Sequence, residues 1–243
     1  KRGLVSFGML GLLVPFASNA ATLIVLSNDG DNADVNGAGF LVTVGPRQKG
    51  STFLALQNDN QNRESGHNTS GTTVNDEKVA TALLLSDLQT VSVGPGEFSD
   101  INAGDYYLIY IDVNEEGIDD TVTLEQLKIF YSASTGLVHD DNSGANPPTT
   151  ELGTSAFDLD GSGDVSVQFG NINPGSNGYP DLAIYVPTSG FAGAAQDNSI
   201  YVWANLTDAG GGREKFSVGI PEPSVALFAG ISALGLALRR RRS

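Results

Sequence analysis

Between residues 21 and 219 the chain alternates short apolar or β-branched runs with clusters of Gly, Asn, Asp and Ser, and no run has the length and period of a long helix. That punctuation is the pattern of strands joined by turns. Strands are expected over 22–26, 40–44, 52–57, 78–85, 89–93, 106–112, 124–131, 165–169, 182–187, 200–205 and 215–218. The spacing predicts an all-β fold, a single antiparallel β-sandwich or jelly-roll-like domain. Tyr106-Tyr107-Leu108-Ile109-Tyr110-Ile111-Asp112 is almost continuously apolar, as a central strand covered on both faces should be. Leu124-Glu125-Gln126-Leu127-Lys128 has good helix propensity, so a short helix competes there and strand is expected over 128–131. Residues 58–76 and 140–153 are polar and read as two long surface loops. The strand pattern resumes unchanged after each, which predicts one domain over 21–219.

The two ends differ from this body. Lys1-Arg2, an apolar run over 4–16 and Ala17-Ser18-Asn19-Ala20-Ala21 follow the order of a secretory signal peptide, expected over 1–20 with cleavage after Ala20. Gly8, Gly11 and Pro15 interrupt the run, which lacks an amphipathic face, so a buried helix is the poorer reading.

The other end reads Pro221-Glu222-Pro223, an uncharged apolar segment over 225–238, then Arg239-Arg240-Arg241-Arg242. At about 1.5 Å per residue this short hydrophobic helix spans about 21 Å, less than the roughly 30 Å of bilayer hydrocarbon. Its strongly apolar residues each favour insertion by about 0.3–0.6 kcal/mol, so insertion is weakly favourable, as a temporary stop requires. The arginines reach the headgroups and hold that end on the cytoplasmic side. Both ends then place the body outside.

Pro221-Glu222-Pro223, the apolar helix and the terminal arginines together resemble the PEP-CTERM sorting signal of Gram-negative bacteria, over 220–243. The resemblance implies processing by an exosortase after export through the general secretion machinery. It also implies a transient inner-membrane anchor and a mature protein at the cell surface or in the extracellular matrix. The body adds a second resemblance, through Leu108-Ile109-Tyr110-Ile111-Asp112, Val122 to Tyr131, Phe157-Asp158-Leu159-Asp160-Gly161 and Asp181 to Pro187. It is similar to the body of a group of PEP-CTERM proteins, which implies a β-rich domain and no particular activity.

Charge restricts the partners. Six of the 13 basic residues lie in the two ends but only Glu222 of the 28 acidic ones does, leaving seven basic against 27 acidic residues in the body. Nucleic acid is therefore excluded as a partner, since phosphate binding needs concentrated Lys and Arg. The chain contains no cysteine, which removes disulfides, thiolate metal sites and thiol nucleophiles.

Calcium is the cofactor the acidic loops suggest. Asp158, Asp160, Ser162 and Asp164 alternate along a Gly-containing turn, the spacing by which a tight loop aims oxygens at one hard cation. The closing Glu of an EF-hand is missing, Phe169 standing in its place, and ordinary turn chemistry competes. Asp112, Asn114, Glu116 and Asp120 form a second such loop, and Asn28, Asp29, Asp31, Asn32 and Asp34 a third.

For catalysis the chain offers only His67 and His139, both in polar stretches and read as surface residues, so no catalytic residue is expected and the chain is read as a non-enzyme. Trp203, inside an apolar strand, is read as core, although Trp203 and Tyr179 are also candidate sugar-stacking rings. Asn68-Thr69-Ser70 and Asn205-Leu206-Thr207 match a glycan-acceptor pattern by coincidence. The functional expectation is a structural or polysaccharide-associated surface protein. The alternative is a secreted carbohydrate-active enzyme or a calcium-dependent sugar-binding module, on paired carboxylates.

Overall fold

The computed structural model describes residues 21–43, 50–57, 62–69, 77–113, 121–139, 147–170, 180–209 and 212–219. The strands among them are β1 (Thr22–Leu26), β2 (Asn32–Val35), β3 (Ala38–Val42), β4 (Ser51–Leu56) and β5 (Arg63–His67). There follow β6 (Glu77–Ala80), β7 (Leu83–Leu84), β8 (Gln89–Val93), β9 (Gly104–Asp112) and β10 (Thr121–Ser132). The last are β11 (Thr154–Asp158), β12 (Val165–Gly170), β13 (Leu182–Pro187), β14 (Ser199–Thr207) and β15 (Glu214–Val218).

They form two sheets, and the fold is the expected all-β sandwich. The seven-stranded sheet runs β1-β12-β10-β14-β5, with β11 beside β10 and β7 beside β14. The eight-stranded sheet runs β2-β3-β13-β9-β15-β4-β6, with β8 beside β9. All pairs are antiparallel except β1 on β12, which is parallel and makes the smaller sheet mixed. The main core lies between the sheets, where Phe40, Leu54, Ile109, Ile111 and Phe216 of one meet Leu124, Leu127, Ile129, Phe169 and Val202 of the other. Each fully buried side chain of this kind contributes about 1.5–3 kcal/mol by leaving water, before ordering costs are subtracted.

β9 is covered on both faces, as its composition predicts. Ile109 and Ile111 enter the main core, while Tyr106, Leu108 and Tyr110 join a second cluster with Ile101 and Tyr185 on the outer side of the larger sheet. The helical alternative for 124–128 loses to pairing: β10 is strand throughout and shares nine register positions with β14. A bulge at Glu125 absorbs the register shift between Leu124 and Gln126.

Three expectations need correction. The stretch 58–76 is not simply a surface loop, because it contains β5 and buries Glu64, His67 and Asn68. The second polar stretch contains Leu152, fully buried beside Phe130 and Tyr201; residues 140–146 lie outside the described residues. The strand expected over 78–85 is two strands, β6 in the larger sheet and β7 in the smaller, followed by a 3-10 turn at Leu85–Asp87. Thr81 and Ala82 carry the chain from one sheet to the other.

Candidate functional site

The turn after β11 has the carboxylates of Asp158 and Asp160 committed to protein partners. Asp158 Oδ2 accepts from Lys128 Nζ at 2.8 Å, and Asp158 Oδ1 accepts from the main-chain N–H of Asp160 at 3.0 Å. Asp160 Oδ1 accepts from the N–H of Val165 at 3.0 Å and so ties the turn to β12. The Ser162 hydroxyl donates to Asn36 Oδ1. Burial pushes the Asp160 carboxyl above its ordinary range; the Val165 N–H opposes this, and the neighbouring Asp158 and Asp164 charges reinforce it. Asp164 meets the N-terminal strand through its main chain, its carbonyl accepting from Thr22 N at 2.8 Å. Among the described residues no three His, Asp or Glu groups are disposed to hold a metal ion.

In the second acidic loop, Asp112 ends β9 and accepts from Lys215 Nζ at 3.3 Å; Asn114, Glu116 and Asp120 lie outside the described residues. The third cluster closes local turns. Asp31 Oδ2 accepts from the N–H groups of Ser27 and Asn28 at 2.9 and 2.8 Å. Those two N–H groups, Asn28's above all, hold its carboxyl below the usual range. Asp34 accepts from the Gly37 N–H at 3.0 Å and from Asn102 Nδ2 at 2.9 Å. Pro221, Glu222, Pro223 and Arg239 to Arg242 lie outside the described residues, and so does Tyr179. No helix among the described residues is long and apolar enough to cross a membrane.

The histidines sit where the sequence did not suggest. His67 is 1% exposed and His139 8%, so neither is a surface residue. His139 directs its main-chain N–H at Nε2 of His67, 3.4 Å away, and its Nδ1 lies 2.8 Å from Glu151 Oε1. The other carboxylate oxygen of Glu151 accepts from Thr149 N at 3.0 Å, Thr149 Oγ1 at 3.1 Å and Thr150 N at 2.8 Å. Glu151's own main-chain N–H and those of Thr150 and Thr149 lower its carboxyl to about 2, against a smaller opposing effect of burial. Tyr201 extends the network, its hydroxyl donating to Ser134 O at 2.8 Å and accepting from Leu137 N at 3.3 Å.

This assembly lies on the outer face of the smaller sheet. Trp203 is paired in register with His67 on one side and Lys128 on the other, and it is 2% exposed, as a core reading requires. Phe130, Leu152, Tyr201 and Leu137 pack as a separate apolar cluster there. A carboxylate on the Nδ1 side of an imidazole is the arrangement that orients a general base. Both rings are buried, and the contacts link residues 134–139 and 149–151 to one another and to the sheet. The advance signals in the sequence are Leu137, just before the polar stretch 140–153, and Leu152 inside it.

Asn68 is part of the ladder itself. Its Oδ1 accepts from Val202 N at 2.7 Å and its Nδ2 donates to Ile200 O at 3.0 Å, continuing the edge of β14 beyond β5 with a side-chain amide. Asn205 is 2% exposed and accepts from Arg63 Nε at 2.8 Å. In the folded domain neither asparagine offers a free amide to a glycan. No family model, no curated protein and no solved structure matches the chain.

Proposed function

We propose that the chain is an exported surface or extracellular-matrix protein, sorted through its C-terminal tail by an exosortase-type enzyme and non-enzymatic in its mature form. The observation that carries this reading is the order Pro221-Glu222-Pro223, apolar segment, Arg239 to Arg242, set against a signal-like sequence at the other end. The acidic body suits an extracellular partner without phosphate, and polysaccharide is the partner proposed.

The test is the intact mass of the protein recovered from an expressing Gram-negative host that carries an exosortase. The expected mass lacks residues 1–20 and part or all of 220–243. A full-length form in the cytosol, cut at neither end, overturns the reading. A glycan array probed with and without calcium checks the partner, and no binding in either condition removes it.

Calcium at the Asp158–Asp164 turn is a subordinate proposal. It requires Asp158 to exchange Lys128 for the ion, and it predicts a higher Tm in calcium than in chelator. Equal melting temperatures remove it.

A further inference from the structure

Among the described residues, β1 ends one side of the smaller sheet. β1 pairs with β12 and, among the described residues, with no other strand. Thr22 turns its N–H toward β12, donating to Asp164 O at 2.8 Å. Main-chain groups alternate sides along a strand, so Leu23 and Val25 turn their N–H and C=O groups away from β12. The same two residues carry the most exposed large apolar side chains among the described residues, at 54% each. Their neighbours Ile24 and Leu26 face the core.

Natural sheets guard such edges with charge, proline or bulges. Of the strands that end the main path of each sheet, β2 contains Asp34, β5 contains Arg63 and Glu64, and β6 contains Glu77 and Lys78. β1 is Thr-Leu-Ile-Val-Leu, with no charge, proline or bulge.

We infer that β1 is a self-association edge, and that its occupant is β1 of a second copy of this chain. The sequence of the strand fits its own two-fold image. Antiparallel pairing centred on Ile24 sets Leu23 opposite Val25 of the second copy and Val25 opposite its Leu23. Those are the residues whose main-chain groups point outward, so both positions become hydrogen-bonded pairs, and Ile24 faces its symmetry mate at the non-hydrogen-bonded position. On the outer face each Leu23 then covers the partner copy's Val25, closing the two exposed positions together. The seven-stranded sheets of the two copies join into one. Parallel addition of an unrelated strand satisfies the edge but leaves this reciprocal cover to chance. The inference does not depend on how the protein is sorted.

The absence of cysteine gives a direct test. In the full chain, kept soluble in detergent, Ile24→Cys is the sole cysteine, and the two-fold places it against its own copy at the close-approach position. Mild oxidation should give a disulfide dimer at least tenfold faster than with Thr22→Cys, which the register sets four residues out of step with its mate. Equal rates overturn the inference. Because Ile24 also touches the core, Leu23→Lys with Val25→Lys supplies a second arm on exposed positions. Light scattering should show the unmodified chain near twice its 25.3 kDa monomer mass and the double variant near the monomer, with an unchanged far-UV spectrum. A monomeric unmodified chain, whose edge is then closed by its own N-terminal residues or by nothing, overturns the inference. So does a dimer that survives both lysines.

Discussion

Asn36, at the tip of the β2–β3 hairpin in the larger sheet, donates from Nδ2 to the carbonyl of Leu159 in the turn after β11 of the smaller sheet, at 2.7 Å. The same amide reaches Asp158 O at 3.2 Å, and its oxygen receives the Ser162 hydroxyl. One side chain therefore ties together two sheets whose contact is otherwise dominated by apolar packing. Asn36 and Gly37 both adopt positive φ, 54° and 83°, as a two-residue hairpin turn of this kind requires. Asn suits the site twice, tolerating the left-handed backbone and supplying both a donor and an acceptor.

The two contributions separate by substitution. Asn36→Gly keeps the turn and loses the bonds, at an expected cost of about 1–3 kcal/mol. Asn36→Ala loses the bonds and adds about 1–2 kcal/mol of left-handed strain. Urea denaturation should rank the variants in that order, with the m-value unchanged. Equal midpoints for unmodified chain and Asn36→Gly show that the amide does not join the sheets.

How much of this was legible depends on which strands announce themselves. β1, β8 and β13 were read to the residue, since each is apolar or β-branched and bounded by turn formers. β2 was missed although Asn36-Gly37 is a strong hairpin signal, because Asn32-Ala33-Asp34-Val35 has too little apolar character to read as a strand alone. β5 could not be read at all: Arg63-Glu64-Ser65-Gly66-His67 has no apolar alternation, and its place comes from pairing with β14. The acidic turn was visible as a turn, but its partners were not, since Lys128 is 30 residues away and Asn36 lies 122 residues from Asp158.

Asn68 offers a test of whether a side chain can serve as a rung of the ladder. Asn68→Leu leaves the N–H of Val202 and the carbonyl of Ile200 without their buried partner, at about 1–3 kcal/mol for each orphaned group. Asn68→Asp keeps the shape but sets a carboxylate oxygen against the Ile200 carbonyl, so it should be destabilised at neutral pH and partly recover in acid. Thermal unfolding at pH 7 and pH 4 distinguishes the two. If Asn68→Leu melts with the unmodified chain, Asn68 is a passenger.

The main-chain N–H groups that hold the Glu151 carboxylate, its own first, make stability depend on pH in a stated direction. The Glu151 carboxyl, lowered from 4.5 to about 2, titrates below its value in the unfolded chain. Its stabilisation is therefore complete above about 4.5 and is lost as pH falls toward about 2. Glu151→Gln should be less stable than the unmodified chain by a constant margin above pH 5, and that margin should shrink to nothing near pH 2. A carboxyl carbon NMR titration should place the Glu151 midpoint near 2. A midpoint near 4.5 means that the main-chain N–H groups around it do not bind the carboxylate.

Asp160 runs the opposite way, and this separates a structural turn from a cation site. Its carboxyl is raised above 3.8, chiefly by burial, so the folded state holds the proton more tightly than the unfolded one. Ionisation then costs stability: the cost is absent below about 3.8 and grows as pH rises toward and through the folded value. Asp160→Asn keeps an oxygen for the Val165 N–H and removes the charge that Asp158 and Asp164 oppose. In chelator at pH 7 the variant should melt above the unmodified chain, and the gain should vanish below about pH 3.8. A bound calcium ion reverses the sign, because it uses that charge and its loss lowers Tm when calcium is present. Melting both proteins in calcium and in chelator therefore decides the matter: a gain in both media identifies a turn that holds two strands, and a gain in chelator that becomes a loss in calcium identifies a cation site.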